Sequence, residues 1–350
     1  MPRAKKAAKA ESATITTAYK GFRDDLTCRP EAGVVFQYEI GKTYRHDGPV
    51  KACKSGFHVI TGHPLALFSY YAPALTRICQ VEISGATDSD DNGEKTAAEI
   101  LTVGKEIGLT QLILDAVKWV TDRAELVAGD HTTEDGKAVK SSKDWGAATA
   151  SGDRGAATAS GTGGAAIASG WQGAATASGY RGAATASGKQ GAATASGYQG
   201  AATASGYQGA ATASGNWGAA TASGEQGAAT ASGTGGAATA SGDWGAATAS
   251  GDRGAATASG DRGAATASGD WGAATASGRR GAATASGWRG AATASGFEGK
   301  ARGKEGCALF LVERSTNGEI LHAWAGIVGR DGIKPDRFYR LVDGKPVEVD

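Results

Sequence analysis

The sequence predicts a mainly β protein: a nonapeptide-repeat β-solenoid, about two repeats per coil, between an N-terminal α+β domain and a small C-terminal β domain. Three observations carry this. Glycine supplies 56 of the 350 residues and proline only 7, which excludes collagen and a proline-rich linker. From residue 146 to 298 the unit Gly-Ala-Ala-Thr-Ala-Ser-Gly-x-x recurs 17 times without a gap. Ile167, in place of a Thr, is the sole substitution at the seven fixed positions.

A short fixed period defines a solenoid or an array. Two glycines and a β-branched Thr in every nine residues exclude helix. Seven held positions beside two free ones argue against a flexible Gly/Ser spacer. In each unit Ala-Ala-Thr-Ala-Ser extends as a strand and Gly-x-x-Gly turns. Two units close an 18-residue coil, and coils stacking at about 4.8 Å give a rod about 40 Å long. Calcium-binding β-rolls also repeat every nine residues, with an Asp in each. Here Asp144, Asp153, Asp243, Asp252, Asp261 and Asp270 occupy only some of the variable pairs, so neither calcium nor any other cofactor is expected.

Alternation along each strand sorts its side chains into two sets. In the first unit these are Ala148 and Ala150 against Ala147, Thr149 and Ser151. Either set can face the interior, and Ile167 leans towards an inward Thr position. Neither set varies, although a solvated face would accept Lys, Glu or Gln. The outward face is therefore expected to pack against something regular. A thin alanine core makes association of several copies the natural remedy.

The flanks read as follows. Residues 1–13 form a flexible basic tail. Residues 14–127 form an α+β domain with strands over 15–22, 34–40, 57–60 and 77–83. A short helix runs from His63-Pro64 to Tyr71, and a longer helical pattern covers 96–124, bent near Gly108. Residues 128–145 are a polar linker. Residues 299–350 make a β cap with strands over 308–314, 319–327, 338–342 and 347–349, turning at Asn317-Gly318 and Asp343-Gly344.

The variable turn pairs carry a candidate binding edge: Trp145, Trp171, Tyr180, Tyr198, Tyr207, Trp217, Trp244, Trp271 and Trp288, interleaved with Arg and Gln. Stacked on successive coils they would form aromatic ladders suited to a glycan or a protein. The alternative site is a hydroxyl ladder, Thr149, Ser151, Thr158, Ser160, Thr176 and Ser178, suited to ice or another ordered surface. Catalysis is not expected. Cys53 and His58 fit no zinc spacing, and the His-Glu-x-x-His, Gly-x-Ser-x-Gly and Gly-Lys-Ser/Thr motifs are missing. Gly161-Thr-Gly163-Gly164 is a product of the repeat rather than a nucleotide loop. Cys28, Cys53, Cys79 and Cys307 are expected as free thiols. A net charge of +1 speaks against nucleic acid; no 18-residue apolar run occurs, and with no apolar stretch after the basic residues 1–10 no signal peptide is expected. Synthesis in the cytoplasm is expected, with virion association as a further expectation.

Three pieces of the first 60 residues, Ala18-Tyr-Lys-Gly-Phe-Arg-Asp-Asp-Leu-Thr-Cys28, Phe36-Gln-Tyr-Glu-Ile-Gly-Lys-Thr-Tyr44 and Lys54-Ser-Gly-Phe-His58, carry a resemblance. So do Gly306-Cys-Ala-Leu-Phe-Leu311 and Trp324-Ala-Gly-Ile327 near the end. With the repeats, they resemble uncharacterised phage and prophage proteins that join a domain of unknown function to tandem Gly-Ala-rich repeats. The repeats are also similar in flavour to the β-roll heads of trimeric autotransporter adhesins, whose period differs from nine. The resemblance implies a structural or adhesive protein acting as a homo-oligomer, a trimer among the arrangements, or through a regular repeat surface. Sequestration of a host molecule is a further alternative, resting on the N-terminal domain.

Overall fold

A computed structural model describes residues 15–28, 35–71, 76–91, 93–122, 125–126, 130–330 and 332–350. The basic tail lies outside them. The chain divides into two compact units, residues 1–62 with 77–107 and residues 63–76 with 108–350.

In the first unit Thr16–Phe22, Phe57–Ile60, Arg77–Ser89 and Lys95–Ile107 pair antiparallel in a closed ring of four strands, and Thr43–Arg45 adds to the outside of the last. Ala18, Phe22, Val59, Val81, Ile83, Leu101 and Val103 fill the core. The expected helix over 96–107 is instead a strand. Thr96, Ile100, Thr102 and Val103 are β-branched, and pairing on both sides, with Phe57–Ile60 and with Arg77–Ser89, overrides the three- and four-residue spacing that reads as helix. Gly104, read as a helix interruption, sits where a Cβ would meet the Gln80 carbonyl oxygen at 2.5 Å. It permits the close approach at the bulge between Cys79 and Val81. The strand expected over 34–40 is reduced to Phe36–Gln37 among the described residues.

In the second unit each repeat forms a four-residue strand that pairs in parallel with the strand 18 residues later, Thr158 beside Thr176 and Thr203 beside Thr221. Alternate repeats therefore build two sheets, of 13 and 12 strands. The interior is all alanine: Ala148, Ala150 and their equivalents are buried from one end to the other. The first Ala and the Thr point outward. This corrects the lean drawn from Ile167, which is 39% exposed and lies between Thr149 and Thr185 on an outer face. Two sheets close enough to pack Ala on Ala leave no room for Thr.

The solenoid begins earlier than the repeat does. Lys137–Ser141 pairs in register with Ala156–Ala159, and His131–Thr132 pairs with the first repeat strand. Within the stretch read as a linker, Val139 takes an interior alanine position and is 1% exposed. At the other end the stack continues through Lys300–Gly303 and Ala308–Arg314, about ten turns in all. There Leu309, Leu311, Tyr339 and Leu341 replace alanine in the core. Antiparallel strands, Ile320–Ile327 on one sheet and Phe338–Val342 with Lys345–Val349 on the other, cap the C-terminal end of each sheet.

Two short elements that the sequence assigns to the first domain belong to this unit. A 3-10 helix, Pro64–Ser69, packs with helix α1, Leu109–Thr121. Leu112, Ile113 and Ala116 form the buried stripe of α1 at helical spacing.

Candidate functional site

Each turn of the solenoid is a four-residue reversal closed by one backbone bond, for example Gly155 N–H to Gly152 carbonyl at 3.1 Å. Its second variable residue is left-handed in every coil, with φ near 55° at Arg154 and Arg253 and 56° at Trp217. That conformation is costly for a residue with a side chain. It turns the N–H to the coil above, where Arg154 donates to the Trp171 carbonyl at 2.7 Å. The glycine before the variable pair is fixed by space: a Cβ on Gly188 would meet the Gly170 carbonyl oxygen at 1.9 Å. Turns stack backbone on backbone, and only glycine fits.

The first variable position explains the scattered Asp. The Asp153 carboxylate accepts the Trp171 N–H at 2.8 Å, and Asp270 does the same for Trp288. Asn216 serves Thr234 at 3.1 Å. These carboxylates satisfy backbone donors of the next coil. Among the described residues, His, Cys, Asp and Glu form no group of three or more suited to a metal ion.

The aromatic turn residues fall on two edges. Trp145, Tyr180, Tyr198, Trp217, Trp271 and Trp288 share one, and Trp171, Tyr207 and Trp244 the other, since residues on one edge are separated by multiples of 18 or one more or less. Among the described rings, direct contact along these edges joins Tyr180 to Tyr198, stacked at 5.5 Å, and Trp271 to Trp288, edge to face at 5.3 Å. Elsewhere the rings meet cations, as with Arg154 on Trp171 and Lys189 on Tyr207. Trp145 and Trp217 lie across Gly163 and Gly235, where a Cβ would come within 2.5 and 2.7 Å of the indole. The Thr-Gly turn pair is thus the seat of a tryptophan. The continuous ladders expected from the sequence are replaced by isolated pairs and cation–ring contacts.

A ladder that the sequence reading missed does exist. Gln172, Gln190, Gln208 and Gln226 stand on one edge at successive coils. Each amide donates to the next, at 2.9, 3.1 and 3.1 Å, and the Arg154 guanidinium caps the run at 3.3 Å. Gln172, Gln190 and Gln208 are fully buried. Ser69, on the 3-10 helix, donates to the side-chain oxygen Oε1 of Gln208 at 3.1 Å. The signal lay in the sequence: sorted at a step of 18 rather than nine, the four Gln fall in one column.

The same sorting separates the hydroxyls. Thr149 and Ser151 belong to the 12-stranded sheet; Thr158, Ser160, Thr176 and Ser178 belong to the other. Helix α1 lies against the outer face of the 13-stranded sheet from Ala174–Ala177 to Ala228–Ala231. Val117 and Trp119 pack on Ala156 and Ala174. Beneath this cover Thr194, Thr212 and Thr230 are buried, their hydroxyls without hydrogen-bond partners. His63 is buried there too, its ring edge to face with Trp119 at 5.3 Å. Burial, with the Arg154 charge as a smaller cause, pushes its pKa down to about 3, so the ring is neutral. Among the described residues no helix covers the equivalent face of the 12-stranded sheet. From Ala147 to Ala273 its first alanines are exposed or half-buried and its threonines half-buried. At the C-terminal end Phe310, Leu321 and Ile327 extend this face with exposed apolar side chains.

In the first unit Cys53 is exposed in a left-handed turn and His58 is half-buried on its strand, with Nε2 lacking a hydrogen-bond partner and its pKa lowered mainly by burial. All four cysteines are free thiols. Burial pushes the Cys79 thiol up to about 11, which holds it protonated. Lys20, from the Ala18–Cys28 segment, is buried; it donates to the His58 carbonyl at 2.7 Å and lies 5.7 Å from the ring centres of Phe22 and Tyr38.

Fold and surface define a repeat β-solenoid preceded by a small β domain. Residues 16–115 match a protein family described as a domain of unknown function, DUF7666. Neither the curated proteins nor the solved structures contain a match to the chain. No helix among the described residues is long and apolar enough to cross a membrane.

Proposed function

We propose that this is a non-enzymatic structural or adhesive protein, of the phage type its sequence resembles, that works through association of the bare solenoid face with further copies of itself. One observation supports the reading. Among the described residues α1 covers the outer face of one sheet from Ala174–Ala177 to Ala228–Ala231, and no helix covers the equivalent face of the other. Area agrees with a self-complementary contact. Ten strands at about 4.8 Å, each about 13 Å long, offer about 600 Å² per copy. Face to face, two copies would bury about 1,200 Å², the lower bound of stable specific interfaces. The apolar extension at Phe310, Leu321 and Ile327 adds to it, and the invariance of the outward Ala and Thr follows, since each would meet its counterpart. The exposed turn aromatics remain at the edges of such an assembly, free for a glycan or protein.

Light scattering on a sizing column tests this. The expected result is a dimer of the 34.9 kDa chain, reduced to monomer by Thr221→Arg at the centre of the bare face. A wild-type monomer at high concentration would overturn it. The regular rows of outward Thr and Ala on that face favour a second reading, binding to ice or another ordered surface. A monomer that shows thermal hysteresis, abolished by the same substitution, would establish this alternative.

A further inference from the structure

Near the C-terminal hairpin the solenoid carries a cleft of about 480 Å³ that plays no part in the reading above. Trp244, Arg262, Arg280 and Glu298 line one side, holding the same turn position in four successive coils. Arg340 and Asp350, from the closing hairpin, line the other, with Lys300 between. Arg262, Arg280, Lys300 and Arg340 thus share the cleft with Glu298 and Asp350 in a protein whose net charge is only +1.

The internal pairing leaves two guanidinium groups unspent. Arg280 donates to Glu298 at 2.7 Å, and Lys300 donates to the backbone oxygen of Asp350. Arg262 lies over the Trp244 ring at 4.5 Å, a contact with its flat face that leaves the N–H edge to point elsewhere. Arg340 has its Nε buried with no hydrogen-bond partner. Guanidinium forks match the oxygens of phosphate and carboxylate groups.

The geometry points to a binding site for a small ligand bearing a phosphate or carboxylate, its oxyanion held by Arg262 and Arg340 and its carbon body against Trp244. The site lies on the covered sheet's side of the solenoid and does not require association. A monomer therefore retains it, and failure of one reading leaves the other standing.

Isothermal titration of the full chain with pyrophosphate and, separately, citrate tests the assignment. Saturable binding of either is expected, and the one that binds identifies the oxyanion. Arg262→Gln should weaken it about tenfold or more. That variant keeps its fold, because Gln already occupies this left-handed position at Gln172, Gln190, Gln208 and Gln226. Arg253→Gln, at the equivalent position on the opposite edge, should leave affinity unchanged. Absence of saturable heat for both probes up to about 5 mM, or equal weakening by Arg253→Gln, would overturn the proposal.

Discussion

Thr212 and Thr221 occupy the same place in adjacent repeats, and their surroundings are opposite. Thr212 lies under α1 and is 1% exposed, its hydroxyl unpartnered; Thr221 looks outward from an uncovered sheet. The repeat unit encodes the coil but not the fate of its outer face. That fate is set by a helix some hundred residues upstream and by parity, since only every second repeat reaches the covered sheet. Invariance of the unit hides two environments, one filled within the chain and one left open.

The strongest way to break this comparison is to place a charge on each face. Thr212→Lys should cost more than about 3 kcal/mol by burying an ammonium beneath α1, read as a large fall in Tm and rapid proteolysis near 109–121. Thr221→Lys should stay within about 0.5 kcal/mol in the monomer. Equal effects would erase the distinction between the faces. The edges give the next contrast. Gln190→Ala removes the acceptor of the Gln172 amide and one of the two donors to Gln208 Oε1, and should lower stability by about 1–3 kcal/mol. Gln199→Ala, on the exposed edge where Arg181 donates to it at 3.0 Å, should change stability by less than about 0.5 kcal/mol.

His63 sharpens the comparison through pH. Its folded value lies below its ordinary 6.5, so its contribution is complete above pH 6.5 and is lost as pH falls towards 3. At pH 5 the loss is about 2 kcal/mol. Thermal melts from pH 7 to 5 should fall more steeply for the wild type than for His63→Leu; parallel curves would contradict a buried neutral ring. The smallest expected effect runs the other way. Thr212→Val removes a buried hydroxyl that has no partner and should stabilise by about 1 kcal/mol, whereas Thr221→Val should be close to neutral.

Much of the fold was legible from residues alone. The repeat strands, the two-unit coil and the strands over 57–60, 308–314 and 338–342 follow from period, β-branching and Asn-Gly or Asp-Gly turns. The segment 96–107 was not, because its apolar spacing fits helix as well as strand and only pairing on both sides decides. Residues 131–141 escaped because the coil starts before the repeat sequence does, with Thr132, Val139 and Ser141 standing at interior alanine positions. The candidate site was half legible. Invariance pointed to a buried outer face, but counting by nine concealed that there are two faces and that four glutamines form a column. The unpartnered Nε of Arg340 depends on the closing hairpin, which no local pattern reveals.

The most direct test places one reactive thiol on each face, in a chain with exposed Cys53 changed to Ser. Labelling rates of Thr212→Cys and Thr221→Cys are followed from dilute to concentrated protein. The account predicts Thr212→Cys protected throughout, and Thr221→Cys reactive when dilute and protected as copies associate. Thr221→Cys reacting at one undiminished rate across the whole range would contradict it.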